Sequence, residues 1–322
     1  MKRSFLSAVL AGCAVAFSGP AAAADYPDKT ISFVVPYGPG GGTDIASRLL
    51  TDKLGKEKGW TFLMENKPGA AGSVGLSYVA RQKPDGYTIA MGQTSNLTIN
   101  PYLNSDIAYD PAKDFAPIAV VSAQPMVVVV STKSKYQSFE ELVAAAKEGK
   151  RLTMGTPGIG TVSHMSMEYF GQLAGVKFRH IPYPGASQAI TEVMGGHLDM
   201  AATSLPSALS HIRSGSVRAL AVTSKERNKA VPDVPTIAEL GYEGFDVGDW
   251  KAVVAPAGLP KDVAETLNAA INDVLKDEEL ITAFEREGSD TVGGTVESFE
   301  QLLANEQTRW QQVIKDAGLT RK

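Results

Sequence analysis

The chain is predicted to fold as an α/β protein with largely parallel sheets. Short β-branched runs alternate with helical patterns along its length, and strand ends repeatedly open into glycine-rich or hydroxyl-rich turns that lead directly into helices. The first such turn carries the clearest chemistry. Ile31-Ser32-Phe33-Val34-Val35 ends in Pro36-Tyr37-Gly38-Pro39-Gly40-Gly41-Gly42-Thr43-Asp44, and an amphipathic helix follows with Ile45, Ala46, Leu49, Leu50 and Leu54 on one face. Glycine lets a ligand approach the backbone closely, and the first N–H groups of a helix are unpaired at the positive end of its dipole, so this unit is an anion cradle. Thr43 is the expected N-cap.

Taken in order, strands are expected at Ile31 to Pro36, Thr61 to Glu65, Thr88 to Gly92, Ala116 to Val121, Met126 to Ser131, Leu152 to Gly155, Lys177 to Ile181, Met200 to Thr203, Ala219 to Thr223 and Ala252 to Ala255. Helices fill the gaps. Ser138-Phe139-Glu140-Glu141 is a capping box, Pro260 suits the first turn of a helix, and a long terminal helix is expected from Thr295 to a stop at Gly318. The apolar segment from Ile118 to Val130 holds Gln124-Pro125 in its middle and is expected to pass from one sheet into another. Ala219 to Ser224 is the expected return. The division that follows is residues 1–24 as a signal peptide, 25–124 with 225–322 as one domain, and 125–224 as the second.

The start of the chain sets the compartment. Lys2 and Arg3 precede an apolar stretch from Phe5 to Phe17 and the small residues Ala21 to Ala24, the pattern of a secretory signal cleaved near Ala24. Export to the periplasm is therefore expected. Leu10-Ala11-Gly12-Cys13 also matches a lipobox, a minor alternative in which Cys13 carries lipid; the alanine site fits the following Tyr26-Pro27 start better. Cys13 is the chain's one cysteine, so cleavage at Ala24 removes disulfides and cysteine-based metal or nucleophilic chemistry from the mature protein. The formal net charge of −4 becomes −6 when Lys2 and Arg3 leave, 29 basic against 35 acidic residues. An acidic surface argues against nucleic acid or an anionic membrane as partner, and it requires any anion to be held by local design.

Known phosphate loops do not match the first turn. Gly-Gly-Thr-Asp lacks the lysine of a Walker motif, and Gly38-Pro39-Gly40-Gly41-Gly42-Thr43 lacks the third glycine of a dinucleotide fingerprint. Further polar turns follow at Ala70-Ala71-Gly72-Ser73, Gln93-Thr94-Ser95-Asn96, Thr156-Pro157-Gly158-Ile159-Gly160-Thr161 leading to Ser163, Tyr183-Pro184-Gly185-Ala186-Ser187, and Thr203-Ser204. In open α/β sheets ligands bind outside the carboxyl ends of strands, so these turns are expected to line one crevice. None contains Lys or Arg. A carboxylate suits such a site, because backbone N–H groups, hydroxyls and amides can hold it by charge-assisted bonds.

Enzymatic readings lack their residues. No Gly-x-Ser-x-Gly elbow occurs, Ser163 and His164 are adjacent on a helix and so do not face each other, and His164, His180, His197 and His211 show no metal-ligand spacing. No catalytic residue, cofactor or metal is expected. A ligand-sensing receptor for an extracytoplasmic sensor kinase is one alternative, and an exported hydrolase a less favoured one.

The chain resembles the Bug-type solute receptors of tripartite tricarboxylate transporters. The resemblance rests on Tyr26-Pro27-Asp28-Lys29, the Val35 to Asp44 loop, Glu65-Asn66-Lys67-Pro68-Gly69-Ala70, Pro84-Asp85-Gly86-Tyr87-Thr88, Asp114-Phe115-Ala116-Pro117-Ile118, Pro182-Tyr183, Leu205-Pro206-Ser207-Ala208-Leu209, Arg218 to Ser224, Val231-Pro232-Asp233-Val234-Pro235-Thr236 and Ala255-Pro256-Ala257-Gly258. It implies a two-domain Venus flytrap of the type II-like periplasmic-binding-protein fold with hinge crossings. It also implies a small organic carboxylate as ligand, di-, tri- or aromatic, inner-membrane transporter subunits as partners, and a monomer. By position it implies ligand contacts at Tyr37, Gly40, Gly41, Thr43, Asp44, Gln93, Ser95, Thr156, Gly158, Thr161, Ser163 and Tyr183. Thr203 joins them where the family often carries Asp-Asn before Leu-Pro-Ser-Ala; the missing acid weakens the case for a ligand bearing an ammonium.

Overall fold

The computed structural model describes residues 26–319; the expected signal peptide and Cys13 lie outside the described residues. In chain order the elements are β1 (Ile31–Val35), α1 (Gly42–Lys58), β2 (Phe62–Asn66), α2 (Ser73–Val79), β3 (Thr88–Gln93), a π-helical turn (Ser95–Ile99), α3 (Asn100–Leu103), β4 (Phe115–Ser131), α4 (Phe139–Lys147), β5 (Thr153–Thr156), α5 (Val162–Ala174), β6 (Arg179–Pro182), α6 (Ala186–Met194), β7 (Met200–Ser204), α7 (Leu205–Arg213), β8 (Val217–Val222), β9 (Gly248–Pro256), α8 (Lys261–Val274), α9 (Glu278–Arg286), β10 (Asp290–Gly293) and α10 (Val296–Asp316).

Among the described residues, ten strands form one continuous sheet in the order β2-β1-β3-β9-β4-β7-β5-β6, with β8 and β10 also pairing with β4. The strands feeding helices are parallel, as expected: β1 with β2 and β3, and β5 with β6 and β7. The middle differs, because β4 and β9 are antiparallel to all their partners. Two strands expected separately, around Ala116 to Val121 and Met126 to Ser131, are one 17-residue strand. Its first part pairs β9 as far as Pro125 opposite Gly248, and from Met126 opposite Ser204 it pairs β7. Pro125 sits where the ladder changes partner, so its missing N–H interrupts neither half. The sheet therefore has two halves that share β4. Four-residue β10 escaped the sequence pattern because its side chains are only half-buried or exposed.

Helices cover both faces of both halves. On the first half, Leu50, Leu54, Leu267 and Ile271 pack on one face and Leu76, Val79, Phe299 and Leu303 on the other. On the second, Phe139, Leu142, Phe170 and Trp310 oppose Ile190, Val193, Leu205 and Leu209. Helix α10 thus spans both halves, with its start in one core and its end in the other. Ile237, Phe245 and Val247, which the sequence division grouped with the first half, lie in the second half's core. Among the described residues no helix is long and apolar enough to cross a membrane.

Local signals act as their chemistry dictates, with two adjustments. Ser138 accepts from the Glu141 N–H, but the Glu141 carboxylate reaches back to the Gln137 N–H at 2.6 Å. Thr295 caps α10 by accepting from Ser298, and Gly318 takes the left-handed conformation just after its end. Pro260 is the N-cap of α8 itself and precedes its first turn. Thr43 is not the cap of α1: Gly41 is, in extended conformation, and the Thr43 hydroxyl inside the helix is directed elsewhere.

Candidate functional site

A cleft of about 500 Å³ opens between the two halves at the carboxyl ends of their parallel strands. From the first half it is lined by Tyr37, Gly41, Ala71, Gln93, Ser95, Asn100 and Asp249. From the second come Pro157, Ile159, Gly160, Thr161, Val162, Ser163, Pro184, Gly185, Ala186, Ser204 and Ser207, with Met126 at the crossing. The halves approach closely here, since a Cβ placed on Gly160 would lie 2.9 Å from Asn100 Oδ1.

The N-cap residues of four helices are among the lining groups: Gly41 of α1, Thr161 of α5, Gly185 of α6 and Ser204 of α7. Each helix is at least nine residues long and has its positive end at the cleft, although in α5 the Thr161 hydroxyl already accepts from the His164 N–H and in α7 Pro206 has no N–H to offer. Among the described residues no Lys, Arg or His lines the cleft. The arrangement presents main-chain donors and dipoles to an anion without a formal positive charge.

Of the residues singled out in the sequence, Tyr37, Gly41, Gln93, Ser95, Thr161 and Ser163 line the cleft. Tyr37, Gln93 and Ser95 belong to one polar chain that begins at Thr43. Thr43 Oγ1 donates to Gln93 Oε1 at 2.6 Å, Gln93 Nε2 donates to Ser95 Oγ at 2.9 Å, and Ser95 Oγ lies 3.3 Å from the Tyr37 hydroxyl. Tyr37 donates to the Ala71 carbonyl at 3.0 Å and accepts from Asn96 Nδ2 at 3.2 Å. Thr43 therefore acts on the cleft through Gln93. Burial pushes the Tyr37 hydroxyl well above the usual phenol range, so it remains a donor. The π-helical turn places Ser95 at the cleft while its neighbour Asn96 reaches the Gln93 N–H at 2.9 Å.

The remaining singled-out residues stand outside the lining. Asp44 turns back into its own loop: it accepts from Gly40 N–H at 2.9 Å, from Arg48 Nε and Nη2 at 2.9 and 3.0 Å, and from Asn66 Nδ2 at 2.9 Å. Burial alone would raise its carboxyl, but these bonds outweigh it and hold the group at about 2. The Gly40 N–H is thereby engaged with Asp44. Thr156 is fully buried, bonded through Oγ1 to His180 Nε2 at 2.6 Å, and it accepts from the Gly158 N–H. The Gly158 carbonyl accepts from the Thr161 hydroxyl at 2.9 Å. Beneath this loop the rings of His164 and His180 stack at 3.8 Å; burial first, then its neighbour His164, lowers His180 to about 4. Tyr183 supports the loop through its N–H to the Thr156 carbonyl. Thr203 is fully buried, and its hydroxyl has no partner.

Sequence reasoning did not single out Asn100, Ser207 or Asp249 as ligand contacts and reached Ser204 only as part of the Thr203-Ser204 turn; all four line the cleft. Ser204 follows Thr203 directly, and its hydroxyl lies 2.8 Å from that of Ser207. For this pair the strand-end signal was present and one residue out. Asn100 and Asp249 follow from no turn pattern; the π-turn and the β4–β9 register bring them in.

Residues 46–319 match the TctC family, described as the tripartite tricarboxylate transporter family receptor. The chain belongs to this family. BugT of Bordetella pertussis is 33% identical over 303 residues, covering 94% of this chain and 93% of BugT. Among solved structures, R. palustris Rpa4515 with adipate has a TM-score of 0.82 at 29% identity, covering 92% of this chain and all of that one. MatC of Rhodopseudomonas palustris with bound malate has a TM-score of 0.77 at 30% identity, covering 90% of this chain and all of that one. The receptor fold read from the sequence is thus the fold of the TctC family, with helices on both faces of a sheet that passes between two halves.

The Asp44 cluster carries a pH prediction. A carboxyl held low in the folded state stabilises it fully above the ordinary carboxylate range and loses that contribution as pH falls through about 4 toward 2. The contribution is at most about 2 kcal/mol, and less because Arg48 is nearly half exposed. Urea unfolding at pH 7 should find Asp44→Asn less stable by about 1 to 2 kcal/mol, with the difference from wild type shrinking near pH 2.

Proposed function

We propose that the protein is a periplasmic solute receptor that captures a small organic carboxylate in the cleft and delivers it to inner-membrane subunits of a tripartite tricarboxylate-type transporter. The observation that carries this reading is the meeting of four helix N-termini from both halves around a cleft with no cationic side chain. Neighbours of the same fold hold adipate and malate, both simple carboxylates. The ligand contacts are proposed at Tyr37, Gly41, Gln93, Ser95, Thr161 and Ser163, with Ser204, Ser207 and Asn100 added. Gly40, Thr43, Asp44, Thr156, Gly158 and Tyr183 shape the loops that present them.

The lobes of the flytrap are the two halves of the sheet. Residues 26–124 with β9, α8, α9 and β10 form one. Residues 126–247 form the other, and α10 straps both. Closure would bend the chain at Gln124-Pro125 and at the approach to Gly248, bringing the N-termini of α5, α6 and α7 onto an anion already seated at α1.

Ligand that binds only the folded state raises stability by RT ln(1 + [L]/Kd), about 2.7 kcal/mol at a hundredfold excess over Kd. A thermal-shift screen across mono-, di- and tricarboxylates, aromatic acids and amino acids is expected to yield a hit among the carboxylates. The same hit should reduce the radius of gyration in solution scattering. No stabilisation by any carboxylate overturns the reading.

A further inference from the structure

Among the described residues, Asp249 is the one carboxylate on the wall of a cleft otherwise arranged for an anion. It stands near the start of β9, opposite Gln124, one pair before Pro125 and Gly248, where β4 changes partner. It is nine-tenths buried. Its hydrogen bonding is thin for an ionised group: Oδ2 accepts from Gln124 Nε2 at 3.2 Å, and Oδ1 is enclosed with no partner. Asp44, in the same protein, receives four bonds on its two oxygens.

The neighbours explain why Asp249 is left so. Gln124 Oε1 accepts from Lys251 Nζ at 2.6 Å and from Ser289 Oγ at 2.9 Å, which fixes the amide with its NH₂ toward Asp249. The Lys251 amine, which burial pushes below the usual lysine range, donates to that carbonyl, and Asp249 receives no bond from it. The other titratable groups around it are the Tyr37 hydroxyl from the loop after β1 and, beyond Lys251, Glu287 on the recess behind Gln124. Thr94 contributes a neutral hydroxyl from the turn after β3, and across the cleft Ser204 and Ser207 are neutral. Burial pushes the Asp249 carboxyl above the usual range, outweighing the lowering by Lys251, Thr94 and Gln124.

We propose that Asp249 is a specificity residue of the cleft that works as a neutral carboxylic acid, admitting a simple organic anion and giving no counter-charge to an ammonium-bearing analogue. The inference rests on the carboxylate reading above and adds a proton to it. A like charge placed beside a buried carboxylate disfavours its ionised form, so an anion seated in the cleft favours the protonated acid. With rising pH Asp249 ionises and anion affinity falls, by at most about tenfold per pH unit for one linked proton. Below that range affinity is flat.

Infrared difference spectra of ligand-free wild type against Asp249→Asn test the protonation directly. A protonated-carboxyl band at pH 7 that disappears in the variant is expected; no such band overturns the proposal. Calorimetry with glutarate and glutamate, two probes differing by one ammonium, tests the consequence. Glutarate should bind wild type at least tenfold more tightly than glutamate and take up a proton at high pH, and Asp249→Asn should bind it with no pH dependence between 6 and 9. Glutamate binding tighter than glutarate and lost in Asp249→Asn would make Asp249 an ionised counter-ion and sink the idea. If no carboxylate of the wider screen binds, the functional reading fails, while the infrared band still decides the state of Asp249.

Discussion

Trp310→Ala is expected to lower the unfolding free energy by about 3 to 5 kcal/mol, the range for truncating a fully buried aromatic residue. Trp310 has no exposed surface and sits in the second half's core near the end of α10. Its indole Nε1 also donates to Glu306 Oε2 at 2.8 Å, and Glu306 is itself buried enough for burial to raise its carboxyl. Truncation therefore leaves a cavity and takes a donor from an acid whose remaining ion pair is with Arg309 at 3.0 Å. The consequence is uneven. Phe299 and Leu303 anchor the start of α10 in the first half's core, so that end should hold while the strap detaches from α5. Hydrogen exchange should show lost protection in α5 and in the last two turns of α10, with β1 and β3 unchanged. A melting temperature within about 2 °C of wild type would mean that α10 does not tie the halves together.

Much of this architecture is legible in the chain because local chemistry and burial agree. The β-branched runs at β1 and β3 have one buried place to go, and the turns after them carry the glycines or small polar residues that a helix start needs. Where sequence reasoning fell short, a non-local partner decided. Gln124-Pro125 looks like a break between two strands, yet the backbone continues straight through, because the ladder partner changes from Gly248 to Ser204 at that point. Thr43 has the composition of an N-cap, but Gln93, fifty residues away, captures its hydroxyl. Asp44 has the position of a ligand residue in the cradle, yet Arg48 one helical turn on and Asn66 at the end of β2 draw it away from the cleft. Asp249 carries no local mark at all. Its role follows from register, from Gln124 opposite it and from the charge of everything else on the wall.

Gly72→Val is expected to weaken ligand capture by about two orders of magnitude, the largest effect foreseen for a single change on binding. The segment from Gly69 to Gly72 runs through four consecutive positive φ values, 136°, 45°, 53° and 92°, two of them at Ala70 and Ala71, where a side chain makes that conformation strained. Such strain persists only where surroundings enforce it, and here the Tyr37 hydroxyl enforces it by holding the Ala71 carbonyl. A Cβ on Gly72 would come within 2.8 Å of Asn96 Nδ2 and 2.9 Å of the Tyr37 hydroxyl. Both must move. That displaces the group joining Ala71, Ser95 and Asn96, and with it one polar side of the cleft, at roughly 1 kcal/mol for each hydrogen bond lost. The loop lies at the surface of the first half and contributes little to its core, so the melting temperature without ligand should fall only modestly. Calorimetry against the best hit of the carboxylate screen separates the two quantities. Tyr37→Phe, which removes the same hydroxyl without a clash, should lose affinity in the same direction but by a smaller factor. Wild-type affinity in Gly72→Val would remove this loop from the site and leave the α1 cradle as the only anchor in the first half.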